Sequence, residues 1–240
     1  MNDLSLNKKE LEEKGFTTIE RIFTVQEIDA MLQIITEVDS TKSNFRKTDD
    51  LFAIRQVLKE IPQLCSVIFT KRLLATIRHM IGDSYFVVKS IFFDKPGASN
   101  WFVSYHQDLT ISVDKKIPIE GFGPWSVKQD QFAVQPPLYI LESNITIRIH
   151  LDHTDENNGA LRVIPKSHRK GIYRPETINW NKEKEEVCPV GKGGVMFMRP
   201  LLLHASSKTT NHLQRRVLHI ELSKQELPEP LQWSERLMLF

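Results

Sequence analysis

The change in sequence texture at Tyr85 constrains the fold of this chain more than any other feature. From that residue on, β-branched and aromatic residues form short runs, and turn signals such as Pro96-Gly97 and Asn157-Asn158-Gly159 separate them. These runs predict strands near 85–94, 101–106, 109–113, 144–152, 160–164, 187–190, 194–198, 201–206 and 213–222. Many short strands after a helical segment predict a mainly β (α+β) protein, a double-sheet jelly roll with N-terminal helices packed on one sheet.

The region before Tyr85 is predicted to be helical. A short charged helix over 8–14 ends at Gly15, and Thr24 with Glu27 forms a capping box ahead of a helix that carries apolar residues from Val25 to Val38. Another helix is predicted over 71–81. At 240 residues the chain suits one domain. We expect a helical layer over 1–83, a β core over 84–222 with an irregular, lid-like insertion at 114–143, and a tail over 223–240.

Charge and cysteine content limit the possible partners. The 32 basic and 30 acidic residues leave a formal net charge of +2, and no run of like charge suggests a nucleic-acid partner. Cys65 and Cys188 are far apart and form no CxxC, so they are read as reduced thiols. There is no signal-like N-terminus, and no apolar run reaches the roughly 18 residues of a membrane span. We expect a soluble, cytoplasmic protein that acts on a small molecule and needs no membrane; the sequence specifies no oligomeric state.

The stretch from Trp101 to Ile111 carries His106 and Asp108, two residues apart. In an extended strand such residues share a face, so an imidazole and a carboxylate converge there. His204 follows an apolar run, and a buried imidazole needs a partner. Together the three side chains would complete the 2-His-1-carboxylate triad that holds non-haem Fe(II). The sequence also allows His106 and Asp108 to form only a structural hydrogen bond.

Two further residues suit a carboxylate ligand. Arg215 lies eleven positions after His204, and its guanidinium can bind a carboxylate through two parallel hydrogen bonds. Ser206, two after His204 and on the same face of its strand, could donate another. This spacing, combined with the His-x-Asp pair, is much more specific than that pair alone.

Three blocks together resemble the phytanoyl-CoA dioxygenase family of Fe(II)/2-oxoglutarate-dependent oxygenases: Tyr105 to Asp108, Gly159 to His168, and Pro200 to Arg215. The resemblance extends from about Phe16 to Leu222. It implies a cupin-like double-stranded β-helix, Fe(II) bound by His106, Asp108 and His204, and 2-oxoglutarate bound by Ser206 and Arg215. It also implies O2 as oxidant, hydroxylation with release of succinate and CO2, and ascorbate as a possible reductant.

Arg148 and Arg55 are additional candidates for binding the co-substrate. Where relatives often carry a Trp, this chain has Arg148 on the polar face of a strand whose other face is apolar, so we expect it to line the interior. An interior arginine needs an anion, either 2-oxoglutarate, an acidic substrate or a structural acid such as Asp152 or Glu142. Arg55 is the nearest match to a basic residue that relatives place near the co-substrate.

Two alternatives to a hydroxylase stay open at this point. One is a cupin-type metal-binding protein without oxygenase activity, although a bare metal site needs no pair such as Ser206 and Arg215. The other is a non-catalytic β-sandwich binding module.

Overall fold

The computed structural model describes residues 4–38, 45–47, 52–99, 102–128 and 131–240. In these residues an antiparallel sheet of eight strands forms the centre of the molecule. Its order is β1 (Phe16–Ile19), β12 (Val195–Met198), β9 (Asn144–His150), β14 (Arg215–Ser223), β4 (Phe86–Lys95), β3 (Phe52–Arg55) and β2 (Phe45–Lys47), and β15 (Leu237–Met238) also pairs with β4.

A smaller antiparallel sheet faces one side of the larger one. Its order is β11 (Glu186–Cys188), β10 (Leu161–Val163), β13 (His204–Ser206) and β5 (Val103–His106). The expected double-sheet jelly roll is therefore confirmed. Trp101, the first residue of the strand predicted over 101–106, lies outside the described residues, and the strand predicted over 201–206 begins only at His204.

Helices cover the outer face of the larger sheet. They are α1 (Ser5–Lys14), α2 (Val25–Thr36), α3 (Val57–Glu60), α4 (Leu64–Ile68) and α5 (Lys71–Ile81). The outward residues of β9 and β14, such as Ile147 and Leu218, are buried in one apolar cluster with residues from these helices. The predicted capping box of α2 is present, because Thr24 Oγ1 accepts from Glu27 N and Glu27 accepts from Thr24 N. The prediction of N-terminal helices on one sheet is confirmed.

The insertion at 114–143 is not irregular, which corrects the expectation from the sequence. It contains β7 (Trp125–Lys128), β8 (Gln131–Val134) and α6 (Leu138–Ser143). With β6 (Ile111–Val113) the two strands form a third antiparallel sheet in the order β6-β8-β7.

Two 3-10 helices, Ser167–Lys170 and Pro175–Thr177, lie between β10 and β11.

The inner face of the larger sheet is divided into apolar and polar zones. At one end Met196 and Met198 are buried with residues of β10 and β11. Near β15, Phe86 and Val88 are buried with β6, β8 and Trp233 of the C-terminal segment. Between these two apolar clusters the inward side chains of β9 and β14 include Arg148, Arg215, His219 and Glu221, all buried. The fold thus places a polar band at the centre of the space between its two sheets.

No helix in the described residues is long and apolar enough to cross a membrane.

Candidate metal centre

The two histidines of the predicted triad lie opposite each other on neighbouring strands. β5 and β13 pair antiparallel, and His106 is the register partner of His204. Their ring centroids are 4.2 Å apart. The register shift between His204 and Ser206 then leaves Ser206 opposite Val103. Strand pairing alone therefore brings together residues that are about a hundred positions apart in the sequence.

Asp108 reaches the two imidazoles from the chain just beyond β5. Its backbone N–H donates to the carbonyl of Pro200 at 2.9 Å, which anchors this turn to the segment ahead of β13. Its carboxylate oxygens lie 3.8 Å from His106 Nε2 and 3.9 Å from His204 Nε2. One ligand atom from each of the three side chains lies within 4.8 Å of the others.

Hydrogen bonds set the orientation of both imidazole rings. His106 Nδ1 lies 2.9 Å from the carbonyl of Ser104, and His204 Nδ1 lies 2.9 Å from that of Leu202. A carbonyl only accepts, so each Nδ1 carries the hydrogen, and in the neutral ring Nε2 is left with its lone pair directed at Asp108. This is the arrangement in which backbone carbonyls orient metal-binding histidines.

Electrostatics favour the protonation states that bind metal. Burial lowers the pKa of His204 to about 4, more than Asp108 raises it, so this ring is neutral near pH 7. Burial on its own would raise the pKa of Asp108, but the neighbouring side chains of His204, His219 and Lys89 hold it well below its usual range. A neutral His204 and an ionised Asp108 are the forms in which these side chains bind a divalent cation.

Two arginines enter the same cavity from the larger sheet. The cavity measures about 180 Å³, and the triad, Ser206, Arg148, Arg215 and His219 line it together with Phe93, Val103, Leu161 and Ala205. Burial lowers the pKa of Arg148 to about 10. The pKa of Arg215 falls to about 9, because Arg215 is buried and lies near the positive charge of Arg148. Both arginines are therefore still cationic near pH 7.

Neither Asp152 nor Glu142, the two acids suggested as ion-pair partners of Arg148, forms a hydrogen bond with it in the described residues. Asp152 accepts from Arg216, whose Nε and Nη2 lie 2.8 and 2.7 Å from the two carboxylate oxygens. Among the described residues, the hydrogen-bond partner of Arg148 is His219, with Nη1 3.1 Å from Nδ1, and no carboxylate pairs with it. The interior position expected for Arg148 is correct.

Arg55 does not line this cavity. It lies on β3 and lines a different cavity, which it shares with Lys89. The structure therefore brings together six of the seven residues singled out in the sequence and leaves Arg55 apart.

Sequence reasoning missed His219 and Lys89. His219 is four residues after Arg215 on β14, so strand alternation could have placed it on the same face. Lys89 could not be found in this way, because the register of β4 shifts at Val88: Glu221 pairs with Lys89 and Leu222 pairs with Val87. In a regular strand, neighbouring side chains point to opposite faces. Because of this β-bulge, Val88 and Lys89 both face the interior.

The fold and the site together define a class of protein: a jelly roll in which two imidazoles and one carboxylate converge between the sheets. A model of the family described as phytanoyl-CoA dioxygenase (PhyH) matches residues 11–217. The chain belongs to this family. The resemblance is thereby confirmed, and so is the expected enzyme class, that of the Fe(II)/2-oxoglutarate-dependent dioxygenases.

Individual relatives are distant in sequence and similar in fold. A probable alpha-ketoglutarate-dependent hypophosphite dioxygenase of Stutzerimonas stutzeri is 21% identical over 243 residues, covering 89% of this chain and 76% of that protein. The structure of EctD from S. alaskensis with 2-oxoglutarate and 5-hydroxyectoine has a TM-score of 0.69 at 16% identity, covering 93% of this chain and 78% of that one. The non-heme alpha-ketoglutarate-dependent carbocyclase SnoK from nogalamycin biosynthesis has a TM-score of 0.69 at 16% identity, covering 92% and 84%.

Proposed function

We propose that this chain hydroxylates a small molecule with Fe(II), 2-oxoglutarate and O2, and that His106, Asp108 and His204 hold the iron. The observation that carries the proposal is the convergence of this triad with two buried arginines in one cavity. The family membership supports the same reaction class. The hydrophobic residues Phe93, Val103 and Leu161 form an apolar part of the cavity wall.

The triad fits a divalent metal in its chemistry. Asp108 Oδ2 is buried and, among the described residues, has no hydrogen-bond partner. A buried carboxylate oxygen without a donor is costly, and a bound cation would satisfy it. Three protein ligands also leave coordination positions open for reactants. Bound iron would supply the O2 chemistry, while the protein provides the ligands and their orientation.

Arg215, Ser206 and Arg148 fit the binding of 2-oxoglutarate. The Nε atoms of Arg215 and Arg148 are buried and have no hydrogen-bond partner in the described part of the chain. Charge-assisted hydrogen bonds from a guanidinium to a carboxylate are among the strongest in proteins. Arg215 would bind the carboxylate remote from the iron with help from Ser206, and Arg148, oriented by His219, would add a second positive charge. Arg55 lies too far along the sheet to share this cavity and is not included.

The overall conversion balances as follows. Substrate, 2-oxoglutarate and O2 give hydroxylated product, succinate and CO2, with one oxygen atom entering the product and the other entering succinate. Ascorbate would serve only to return oxidised iron to Fe(II). A cytoplasmic location is consistent with this dependence on a reduced metal, and Cys65 and Cys188 are both free.

The test is formation of succinate from 2-oxoglutarate by purified protein supplied with Fe(II), ascorbate and O2. We expect wild-type protein to form succinate and His106→Ala to form none above background. Exposed His79 on α5 offers a matched control, and His79→Ala should retain the wild-type rate. Equal rates for wild type and His106→Ala across a broad panel of small molecules would refute the proposal. Fe(II) binding without turnover would instead favour a cupin-type metal-binding protein.

A further inference from the structure

A second polar cavity lies beside the candidate metal centre, and we call it the Lys89 cavity. It measures about 100 Å³ and is lined by the polar residues Lys89, Arg55, Thr110, Ser112, Ser126 and Gln131, with Phe132 and Ala133 between them. It forms where the inner face of β3 and β4 meets the three-stranded sheet of the insertion.

The Lys89 cavity adjoins the metal centre through the chain and through a series of buried contacts. Thr110 and Ser112 follow the ligand Asp108 by two and four residues. Lys89 Nζ lies 2.7 Å from Glu221 Oε1, and that oxygen lies 3.2 Å from His219 Nε2. His219 in turn lines the triad cavity and contacts Arg148. A molecule in the Lys89 cavity would therefore be next to the iron ligands without entering the arginine site.

All six polar side chains that line this cavity can donate hydrogen bonds. None of its described lining residues is acidic, and two of them are cationic. Lys89 has three N–H donors, and in the described residues Glu221 is its only hydrogen-bond acceptor. Burial opposes the charge on Lys89, but Glu221 and Asp108 raise its pKa above the ordinary value, so the ammonium persists near pH 7. The cavity thus offers a charged ammonium whose N–H groups are not all used by Glu221.

The insertion sheet presents two hydroxyls opposite these cations. Ser112 of β6 and Ser126 of β7 are both register partners of Ala133 on β8. Because register partners share a face, the three side chains form one row in which a methyl group separates two hydroxyls. Neither hydroxyl has a hydrogen-bond partner among the described residues, and the small Ala133 leaves space between them.

We propose that the Lys89 cavity binds the substrate that is oxidised, and that this substrate is a small oxyanion, such as a short carboxylate or a phosphorus oxyanion. Lys89 supplies the charge, and Ser112 and Ser126 supply hydrogen bonds to its oxygen atoms. The cavity is well below the roughly 300–1,000 Å³ of pockets that hold drug-sized ligands, so the group that enters it is small. The assignment rests on the proposed function, since it names the substrate class of the same active site.

Binding without turnover tests this assignment. Full-length protein is loaded with Fe(II) and saturating 2-oxoglutarate under anaerobic conditions, which occupies the arginine site and prevents reaction. Phosphite, acetate and the neutral isostere acetamide are then titrated by calorimetry. We expect at least one anion to bind at least tenfold more tightly than acetamide, and Lys89→Met to remove that preference. The exposed Lys59 on α3 gives the matched control, and Lys59→Met should bind as wild type does.

Two serine variants keep the test valid if Lys89→Met does not fold. Ser112→Ala and Ser126→Ala each remove one hydroxyl without leaving a buried charge, and we expect each to weaken binding of the anion by about three- to tenfold. The assignment is wrong if neither anion binds more tightly than acetamide, or if the lysine and serine variants bind both anions as wild type does. Failure of the proposed function has a different signature, namely loss of Fe(II) or 2-oxoglutarate binding before any anion is added. In that case the anions and acetamide are titrated into protein without Fe(II) or 2-oxoglutarate. The same preference for an anion over acetamide, and the same loss of it in the variants, then decides the assignment.

Discussion

Arg215 is the residue whose proposed role is easiest to separate from that of the metal. Arg215→Leu should weaken 2-oxoglutarate binding by about 100-fold, because truncating one partner of a buried charge pair costs roughly 2–5 kcal/mol. Fe(II) binding should persist, since the triad lies on the other sheet. Titration of Fe(II) and then of 2-oxoglutarate measures both steps.

The neighbouring arginine on the same strand controls for the loss of charge. Arg216 faces outward and pairs with Asp152, so Arg216→Leu removes an equal charge from the other face of β14. Its affinity for 2-oxoglutarate should match that of wild type. Equal losses of metal and co-substrate binding in Arg215→Leu would show that the residue supports the fold and not the co-substrate.

At the residue scale, the sequence predicted what strand alternation controls. Ser206 lies on the face of His204, because residues two apart in a strand share a face. Asp108 was predicted from the same rule, but it lies beyond the end of β5, and the turn anchored at Pro200 places it beside His106. The rule failed at Lys89, because the bulge at Val88 breaks that alternation, and no residue type at Val88 signals a bulge. Arg55 was proposed from a resemblance in position alone. The triad cavity extends from β14 to Phe93 on β4, whereas Arg55 lies on β3, the next strand of the sheet.

At the scale of elements, the helix α5 and most strands of the two facing sheets were predicted, whereas the short strands β7 and β8 were not. α5 has the predicted bounds, because Thr70 caps it and its apolar residues recur at helical spacing. β7 and β8 have four residues each, and most of their described side chains are not buried. The period-two pattern that marks a half-buried strand is therefore weak there, and only pairing with β6 reveals the third sheet.

The C-terminal segment carries a buried acid that makes its attachment depend on pH. Glu235 Oε1 accepts from Ser90 N at 2.8 Å and Oε2 accepts from Ser90 Oγ at 2.5 Å. Burial nevertheless raises the pKa of Glu235 from 4.5 to about 7. The folded state therefore holds this proton more tightly than the unfolded state, so its contribution to stability is complete below about pH 4.5 and is lost as the pH rises to about 7.

Glu235→Gln should remove this pH dependence. The free energy of unfolding, measured with urea between pH 5 and 8, should fall with pH in wild type by on the order of 2 kcal/mol more than in the variant. Glu226→Gln is the control, because Glu226 is exposed and forms a surface ion pair with Arg236. Parallel pH profiles for wild type and Glu235→Gln would contradict the assignment.

At the scale of the whole molecule, the two sheets contribute different parts of the site. The smaller sheet, with the turn that follows β5, supplies the three candidate metal ligands and Ser206. Arg148 and Arg215 project from the larger sheet. The alternation of apolar and polar residues along β9 predicted the inward position of Arg148, but not the division of the site between two sheets. It could not specify the distance between the sheets, which depends on the apolar clusters on either side of the polar band.

This division predicts how ligands stabilise the fold. A metal ion would bind within the smaller sheet and the adjoining turn, whereas 2-oxoglutarate held by both the metal and Arg215 would connect the two sheets. Each ligand present at about 100 times its Kd contributes about 2.7 kcal/mol. In a domain of this size that raises Tm by roughly 5–10 °C. Anaerobic thermal unfolding should therefore show one increment with Fe(II) and another with 2-oxoglutarate added to it.

The variants assign each increment to a sheet. His204→Ala should lose both increments, because co-substrate binding depends on the metal. Arg215→Leu should keep the Fe(II) increment and lose most of that of 2-oxoglutarate, because the main contact for the remote carboxylate is removed while the triad is intact. An undiminished 2-oxoglutarate increment in Arg215→Leu would mean that Arg215 does not hold the co-substrate, and Arg148 would then be the remaining candidate contact from the larger sheet.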